Sequence, residues 1–159
     1  MSNTFLYSDP HFGHEGILRF VKNGKKIRPF TTLDEMHNTL IANYNRVVKE
    51  DDTVFFLGDV AYNEKVLDEI MPQLNGNKRL ILGNHDNLSA EKYTKYFHKK
   101  LYSWYAFTKY FPAFVACHFP IHHDSFSYKG HFCVHGHIHD KVVTQTVWNN
   151  VTPIQYIDL

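Results

Sequence analysis

Short apolar runs alternate with amphipathic stretches along the first part of the chain. The apolar runs have the length of buried strands and predict β-strands over residues 4–8, 53–57 and 78–82. The stretches with apolar positions at helical spacing predict a short helical piece over 15–21 and helices over 32–49, 63–71 and 90–99. The helix over 32–49 is the best defined, because Thr32 and Glu35 have the spacing of a capping box in front of a periodic apolar face.

The pattern changes near residue 100. Short β-like runs predict strands near 101–108, 113–117, 131–135, 142–147 and 154–158, with little helix between them. A β-α-β-α-β first half followed by a strand-rich second half is typical of two packed sheets with helices on the outside. The sequence therefore predicts an α/β fold of the α+β type, built as a two-sheet β sandwich flanked by helices.

Size and composition are those of an ordinary globular domain. The 159 residues contain no internal repeat and no linker-like stretch, so residues 1–159 are expected to form a single domain. No run approaches the length of a membrane span and the N-terminus has no leader-like pattern, which favours a cytoplasmic location. Cys117 and Cys133 lack the CxxC spacing of a structural zinc site and are expected to be reduced and buried.

The net charge of +1 argues against a strong electrostatic attraction to duplex nucleic acid. The exception is local, because Lys22, Lys25, Lys26 and Arg28 crowd around the Asn23-Gly24 turn. This cluster is interpreted either as a solvated loop, which is the simpler interpretation, or as an arm that faces substrate. Arg28 is also a candidate for bidentate binding of a substrate phosphate.

Potential metal ligands occupy five short blocks, and each block lies at the end of a predicted strand. The blocks are Ser8-Asp9-Pro10-His11, Leu57-Gly58-Asp59, Leu82-Gly83-Asn84-His85-Asp86, Cys117-His118-Phe119 and His135-Gly136-His137-Ile138-His139. Since ligands bind at the strand ends of α/β sheets, we expect these side chains to meet at one place. Each block alone could be a turn, a cap or a hydrogen-bonded histidine, but separate explanations of this kind do not account for all five in this order.

The residue types in these blocks suit divalent cations. Carboxylate oxygens combined with neutral imidazoles favour Mn²⁺, Fe, Zn²⁺ or Ni²⁺ over Ca²⁺. Asp59 is a natural bridge, since one carboxylate can serve two cations and offset their repulsion. Asn84 offers a neutral oxygen to a second metal. The neighbouring His85 can act as a general acid or hold charge on a phosphoryl group, with Asp86 orienting its ring through the other nitrogen.

In this order, the blocks DxH, GD, GNHD, H and GHxH resemble the signature of the calcineurin-like metallophosphoesterases and span residues 9–139. Two segments, Asp9-Pro10-His11-Phe12-Gly13-His14 and the late Asn149-Asn150-Val151, also look similar to small stand-alone members from bacteria and phages, which implies a bacterial cell or a phage-infected host. The resemblance implies the two-sheet sandwich, a catalytic His85 hydrogen-bonded to Asp86, and no covalent intermediate. It also implies the metal ligands: Asp9, His11 and His139 for one metal, Asn84, His118 and His137 for the other, and Asp59 as the bridge.

These features predict a hydrolase of phosphate esters that uses two divalent cations, with manganese expected first and iron, zinc, nickel or magnesium as alternatives. Attack by a metal-bridging hydroxide is the implied reaction. Phosphodiesters are preferred, because a chain of this size leaves little material for a cap over the cleft. The alternatives are a phosphomonoesterase acting on nucleotides or phosphoproteins, a nuclease, and a metal-binding scaffold that has lost turnover.

Four further side chains are candidates for contacts with the phosphate-ester substrate: His14, Arg28, His122 and His123. His14 lies three residues past His11, and the two adjacent histidines follow the His118 block. The competing interpretation of each is a local structural role. His37 is expected to be a surface or helix-face residue, and the sequence assigns no oligomeric state.

Overall fold

The computed structural model describes residues 2–126, 129–139 and 156–158, with the backbone alone for residue 123 and residues 156–158. The strands are β1 (Thr4–Tyr7), β2 (Val21–Lys22), β3 (Lys25–Lys26), β4 (Thr53–Phe56), β5 (Asn77–Leu80), β6 (Trp104–Phe107), β7 (Phe114–Cys117), β8 (Phe132–His135) and β9 (Tyr156–Asp158). The helices are α1 (Leu33–Val47), α2 (Glu64–Ile70) and α3 (Ala90–Thr94). Short 3₁₀ helices lie at Glu15–Arg19, Met71–Gln73 and His123–Ser125.

Two sheets organise these strands. The first is parallel throughout, with the order β1-β4-β5. The second has the order β6-β7-β8-β9, in which β6 is antiparallel to β7 and the remaining pairs are parallel. The parallel strands β1, β4 and β5 therefore end at one edge of the first sheet, and β7 and β8 end together in the second.

The two sheets pack against each other through a core of aromatic and aliphatic side chains. Along β4, Phe55 belongs to this inter-sheet core, whereas Val54 and Phe56 belong to the core beneath the helices. Both faces of the strand are covered, which explains why its sequence is apolar without alternation. Phe107 and Val134 reach the same inter-sheet core from the second sheet. The predicted α+β sandwich with flanking helices is confirmed.

The first two helices begin at side-chain caps that the sequence contains. The Thr32 hydroxyl accepts the Glu35 N–H at 3.1 Å, and Glu35 in turn accepts the N–H of Thr31 at 2.7 Å. Asn63 caps α2 by accepting the Val66 N–H at 3.1 Å. These bonds satisfy backbone donors that have no partner within the helix.

The third helix is shorter than predicted. It ends at Thr94 rather than near residue 99. The His98 N–H donates to the Lys78 carbonyl at 2.9 Å, so the chain leaves the helix to run beside β5. Pairing with the sheet edge thus overrides the local helical pattern.

The basic segment forms an exposed β-hairpin. Val21 pairs with Lys26 and Lys22 pairs with Lys25, while Asn23 and Gly24 at the turn have φ angles of 51° and 76°. Two consecutive positive φ angles are typical of the type I′ turn that an Asn-Gly dipeptide favours. The segment that the sequence interprets as a solvated loop or a substrate-facing arm is therefore a solvent-exposed two-stranded arm.

Other predicted elements occur with shifted bounds or lie elsewhere. The predicted helical piece over 15–21 is the 3₁₀ helix at Glu15–Arg19. The predicted strand near 142–147 lies outside the described residues, and β9 matches part of the predicted strand near 154–158. Across the residues that the structure describes, none of the helices is long and apolar enough to cross a membrane.

Candidate metal centre

The pairing of β1 with β4 continues past both strands into the loops that carry the first ligands. The Asp9 N–H donates to the Gly58 carbonyl at 3.2 Å, and the His11 N–H donates to the Asp59 carbonyl at 3.0 Å. A further bond of 3.0 Å joins the Phe12 N–H to the Val60 carbonyl. Backbone hydrogen bonds therefore hold the two loops side by side, independently of their side chains.

The first group of candidate ligands consists of Asp9, His11 and His139, whose ligand atoms all lie within 4.8 Å of one another. His11 Nε2 lies 3.7 Å from Asp9 Oδ1. Both atoms are buried and neither has a hydrogen-bond partner among the described residues. Buried polar atoms without partners are costly, and a cation between them would satisfy both, so the site fits a metal ion.

The other Asp9 oxygen is bound by the protein. Asp9 Oδ2 accepts the Ser8 hydroxyl and the His137 N–H, the latter at 3.0 Å. This division leaves one oxygen of the carboxylate for a cation and uses the other to join the first loop to the last. Ser8 was not predicted as a site residue, although its position beside Asp9 is the signal that could have suggested it.

The second group consists of Asp59, His118 and His137, again with ligand atoms within 4.8 Å of one another. His118 Nδ1 lies 2.8 Å from the Leu57 carbonyl and donates to it. This bond leaves Nε2 with a lone pair for a metal. Asn84 Oδ1 lies 2.9 Å from His118 Nε2, which brings the predicted amide ligand to the same group.

Asp59 lies between the two groups. Its Oδ2 is 3.7 Å from His11 Nε2 in the first group and 3.5 Å from His118 Nε2 in the second. Its Oδ1 accepts the His85 N–H at 2.9 Å, which fixes the orientation of the carboxylate. The structure thus brings all seven predicted ligands together, with Asp59 facing both groups.

Unusual backbone conformations are concentrated at these ligands. Apart from Asn23 in the hairpin turn, the non-glycine residues with positive φ in the described part of the chain are all predicted ligands: Asp9 (50°), His11 (50°), Asp59 (53°), His137 (71°) and His139 (53°). Each such residue costs about 1–2 kcal/mol relative to ordinary backbone. Strain of this kind is typical of functional sites, where the surrounding structure holds it in place.

Three glycines allow the ligand loops to approach one another closely. A Cβ added at Gly58 would lie 2.6 Å from both the Gly83 Cα and His118 Nδ1. A Cβ at Gly83 would collide with Asp59, and one at Gly136 would collide with Ser8 and the Asp9 carboxylate. The glycines within the sequence blocks are therefore required by the packing of the ligands themselves.

Asp86 has a different role from the one predicted. Its carboxylate accepts three backbone N–H groups, from Gly83 at 2.8 Å, Asp59 at 2.8 Å and Val60 at 3.0 Å. Burial raises the pKa of Asp86 above its ordinary value, and the backbone bonds oppose that shift. Among the described residues, Asp86 bonds to these backbone groups and to the Tyr93 hydroxyl rather than to the His85 imidazole, which corrects the expected pairing. Asp86 instead ties the loop after β5 to the loop after β4.

His85 and His14 lie next to the first group. The ring centroids of His85 and His11 are 5.5 Å apart, and His85 is exposed. The His14 ring is 5.5 Å from that of His11 and 6.0 Å from that of His85. Burial, with a smaller contribution from neighbouring histidines, lowers the pKa of His11 to about 3, so the ring that contributes Nε2 is neutral at physiological pH.

The remaining predicted substrate contacts have different surroundings. Arg28 is half-buried and donates to the Asp9 carbonyl at 2.5 Å, so its guanidinium supports the first ligand loop. His122 is exposed, and its Nδ1 lies 3.7 Å from the Asp124 carboxylate in the same turn. The side chain of His123 lies outside the described part.

His37 supports the first loop from helix α1. Its Nε2 accepts the Gly13 N–H at 2.8 Å, and its ring packs against Phe12 with centroids 5.6 Å apart. His37 was expected at the surface of the helix. Its place one turn after Leu33, on the apolar side of α1, is the signal that could have indicated contact with the core.

Comparison with known proteins gives one family and several relatives. Residues 3–158 match the family described as calcineurin-like phosphoesterase. An uncharacterized protein of Methanocaldococcus jannaschii is 34% identical over 145 residues, which cover 87% of this chain and 70% of that protein. The gene 66 protein of Mycobacterium phage L5 is 38% identical over 92 residues, or 54% of this chain and 41% of the phage protein.

Two solved structures share the fold. A protein of unknown function from Aquifex aeolicus superposes with a TM-score of 0.72 and 22% identity, over 98% of this chain and 88% of that one. An archaeal phosphodiesterase superposes with a TM-score of 0.54 and 19% identity, over 98% of this chain and 81% of the other. At these identities, the likeness concerns the fold.

The close approach at Gly58 generates the first prediction. Gly58→Ala should lower the free energy of unfolding more than Gly24→Ala, which has a positive φ but no atom within 4 Å of the added Cβ. The left-handed backbone alone costs about 1–2 kcal/mol at either position, and overpacking should add about 1–3 kcal/mol at Gly58. Urea unfolding measures the difference, and metal analysis should show that Gly58→Ala binds less metal. Equal losses in the two variants would contradict the assigned packing.

His37 generates a prediction about pH. Burial lowers its pKa below the ordinary value of 6.5, against the raising effect of Glu69 and Asp34. Below pH 6.5 the unfolded chain binds a proton that the native chain excludes, so the stabilisation is present above that pH and declines as the pH falls. His37→Gln keeps an acceptor for the Gly13 N–H without titrating. The free energy of unfolding of His37→Gln should therefore fall less than that of the wild type when the pH is lowered from about 7 to about 5.5.

Urea titrations at the two pH values measure this loss. His131→Gln serves as the control. His131 is exposed, and its hydrogen bond to the Ala113 carbonyl comes from the backbone N–H, which the substitution retains. A His37→Gln protein with the pH dependence of the wild type would show that His37 does not contribute to the acid sensitivity.

Proposed function

This chain belongs to the calcineurin-like phosphoesterase family, and on that basis we propose that it is a dinuclear metal-dependent phosphodiesterase. The observation that carries the proposal is the position of Asp59. One of its carboxylate oxygens faces an imidazole nitrogen of each ligand group, at 3.7 Å and 3.5 Å. A carboxylate shared in this way is suited to bridging two cations.

The donor atoms also narrow the choice of cation. Each group combines one carboxylate with two imidazoles, and Asn84 adds a neutral oxygen to the second group. Mixed oxygen and nitrogen donors favour first-row transition metals over Ca²⁺. We therefore propose two divalent cations, with manganese expected first and iron, zinc, nickel or magnesium as alternatives. When bound, such a pair supplies an activated water and withdraws charge from phosphate oxygens.

The protein contributes orientation and proton transfer. The backbone N–H of His85 donates to the Asp59 carboxylate, and the His85 ring is exposed beside His11. An imidazole in this position can donate a proton to the leaving oxygen of an ester bound over the two groups. Asp86 acts indirectly, since its three backbone bonds hold the His85 loop against the loop that carries Asp59.

The preference for diesters rests on the openness of the site. Asn84 and His85 are both exposed, and Tyr62, near His14, retains 64% of its surface. A substrate with a substituent on each side of phosphorus can therefore approach these residues. The activity named for the archaeal neighbour is a further reason to test a diester first, although that protein is related here by fold.

Hydrolysis of model esters tests the proposal directly. Metal-stripped protein should be inactive and should recover turnover of bis-p-nitrophenyl phosphate when Mn²⁺ is added back, with two metals bound per chain. Zn²⁺, Ni²⁺, Fe²⁺ and Mg²⁺ are compared in parallel. Faster turnover of p-nitrophenyl phosphate than of the diester would show that the protein is a phosphomonoesterase rather than a phosphodiesterase. A protein that binds two metals and hydrolyses neither ester would overturn the enzymatic proposal.

His85→Ala tests the assigned proton donor. The substitution should lower turnover of the diester by about 10²–10⁴-fold, the usual contribution of general acid catalysis. Metal content should remain at the wild-type level, because an alanine retains the backbone N–H that orients Asp59. His131→Ala, which replaces an exposed histidine at the start of β8, is the matched control. Wild-type turnover in His85→Ala would contradict the assignment of His85 as the proton donor.

A further inference from the structure

Exposed aromatic rings form a continuous surface beside the first ligand group. The rings of His14 and Tyr62 are stacked, with centroids 5.6 Å apart and an interplanar angle of 16°. Phe20 meets His14 edge-on at 6.2 Å. Tyr62 is 64% exposed and Phe20 is 49% exposed. We call Phe20, His14 and Tyr62 the aromatic shelf.

The shelf is fixed relative to the metal ligands. The Tyr62 N–H donates to the Phe12 carbonyl at 2.9 Å, and Phe12 is the residue directly after His11. The His14 ring is itself 5.5 Å from the His11 ring. One face of Tyr62 is covered by His14, so the large exposed area of the residue includes the opposite face of its ring. A flat group placed there would lie next to a substrate bound at the ligands.

The basic hairpin starts from the same place. Its two strands follow Phe20 and precede Arg28, and the Ile27 N–H closes its base on the Phe20 carbonyl at 2.9 Å. Arg28 then donates to the Asp9 carbonyl at 2.5 Å, which attaches the base of the hairpin to a ligand loop. At about 3.3 Å of rise per residue, Lys22 lies about 7 Å beyond Phe20.

The hairpin presents a concentrated positive charge. Every residue from Val21 to Lys26 is exposed, and the pairing puts Lys22 directly opposite Lys25. Lys26 adds a third ammonium group whose Nζ lies 3.3 Å from the Phe30 carbonyl. The arm therefore suits a ligand that carries several negative charges.

An aromatic surface and a cationic arm that begin at one phosphoesterase centre match the chemistry of one substrate class. We propose that the substrate is a single-stranded oligonucleotide, with a base stacked on the exposed face of Tyr62 and neighbouring phosphates on Lys25 and Lys26. Proteins that bind single strands combine aromatic stacking with a basic groove in this way. This inference names the substrate class of the site proposed above and rests on that proposal.

Two observations favour a single strand over a duplex. A base must leave its own stack before it can lie on a tyrosine ring, which a single strand permits at low cost. The whole chain has a net charge of only +1, which is too small to produce the strong positive field that attracts duplex nucleic acid. A duplex, with its dense double row of phosphates, is bound by proteins with a wider basic surface.

Binding is tested with a fluorescein-labelled oligothymidylate of about ten nucleotides, within the usual range for such sites. The probe is titrated with the full-length, metal-loaded His85→Ala protein, so that turnover does not consume it, and anisotropy is recorded at several salt concentrations. Two phosphate contacts, at about −0.7 each, predict that log K falls with log salt with a slope of about −1.4. A duplex of the same length should bind more weakly.

Variants in this background separate the two parts of the site. Lys25→Gln and Lys26→Gln should each reduce the slope by about 0.7. Lys109→Gln, which removes an exposed lysine from the turn after β6, should leave it unchanged. Tyr62→Ala should weaken binding about tenfold without changing the slope, whereas Tyr62→Phe, which keeps the ring, should bind like its parent.

The outcomes distinguish this inference from the proposed function. A flat salt profile, equal binding of duplex, or a Lys25→Gln slope equal to that of Lys109→Gln would overturn the oligonucleotide inference, even if wild-type protein hydrolyses bis-p-nitrophenyl phosphate. Competition by a mononucleotide diester as strong as that of the unlabelled oligomer would also overturn it. Lysine-dependent binding of the oligomer by a protein that hydrolyses no ester would support the binding surface and overturn the proposed hydrolase.

Discussion

The backbone pairing of the loops after β1 and β4 is the constraint on which the rest of the centre depends. Bonds from Asp9 to Gly58 and from His11 to Asp59 carry the parallel ladder beyond the strands. Because ligands of both groups are set by these two loops, the position of Asp59 relative to His11 is determined by the sheet. Gly58 and Gly83 permit the approach, and Asp86 and Ser8 secure it with hydrogen bonds from side chains.

The centre combines strained backbone with buried polar atoms that lack partners. Positive φ angles at the ligands and the unpaired Asp9 Oδ1 and His11 Nε2 all oppose folding of the described structure. Cations that bind the native state alone would offset these costs by mass action. The atoms that destabilise the protein are therefore those that the proposed cations would bind. The inter-sheet core and the core beneath the helices supply the stability that holds these atoms in place.

Much of this arrangement is visible in the sequence. The apolar runs predicted both sheets, and the position of each ligand block after a strand predicted that Asp9, Asp59 and His118 would meet. The roles of Asp86 and His37 were not predictable in the same way. Each depends on which backbone amide lies nearby after the loops have folded, and neither spacing nor residue type encodes that neighbour. The early end of α3 likewise reflects a bond to the distant edge of β5.

The hydrogen bond from the His137 N–H to Asp9 joins residues separated by 128 positions, and this separation has a consequence for how the protein is made. During synthesis, the chain emerges from its N-terminus, so Asp9 is made 128 residues before His137, whose N–H it accepts. Contacts between residues so far apart form late, after the entropy of closing a long loop has been overcome. The proposed cations can therefore find all their candidate ligands only once both sheets have come together.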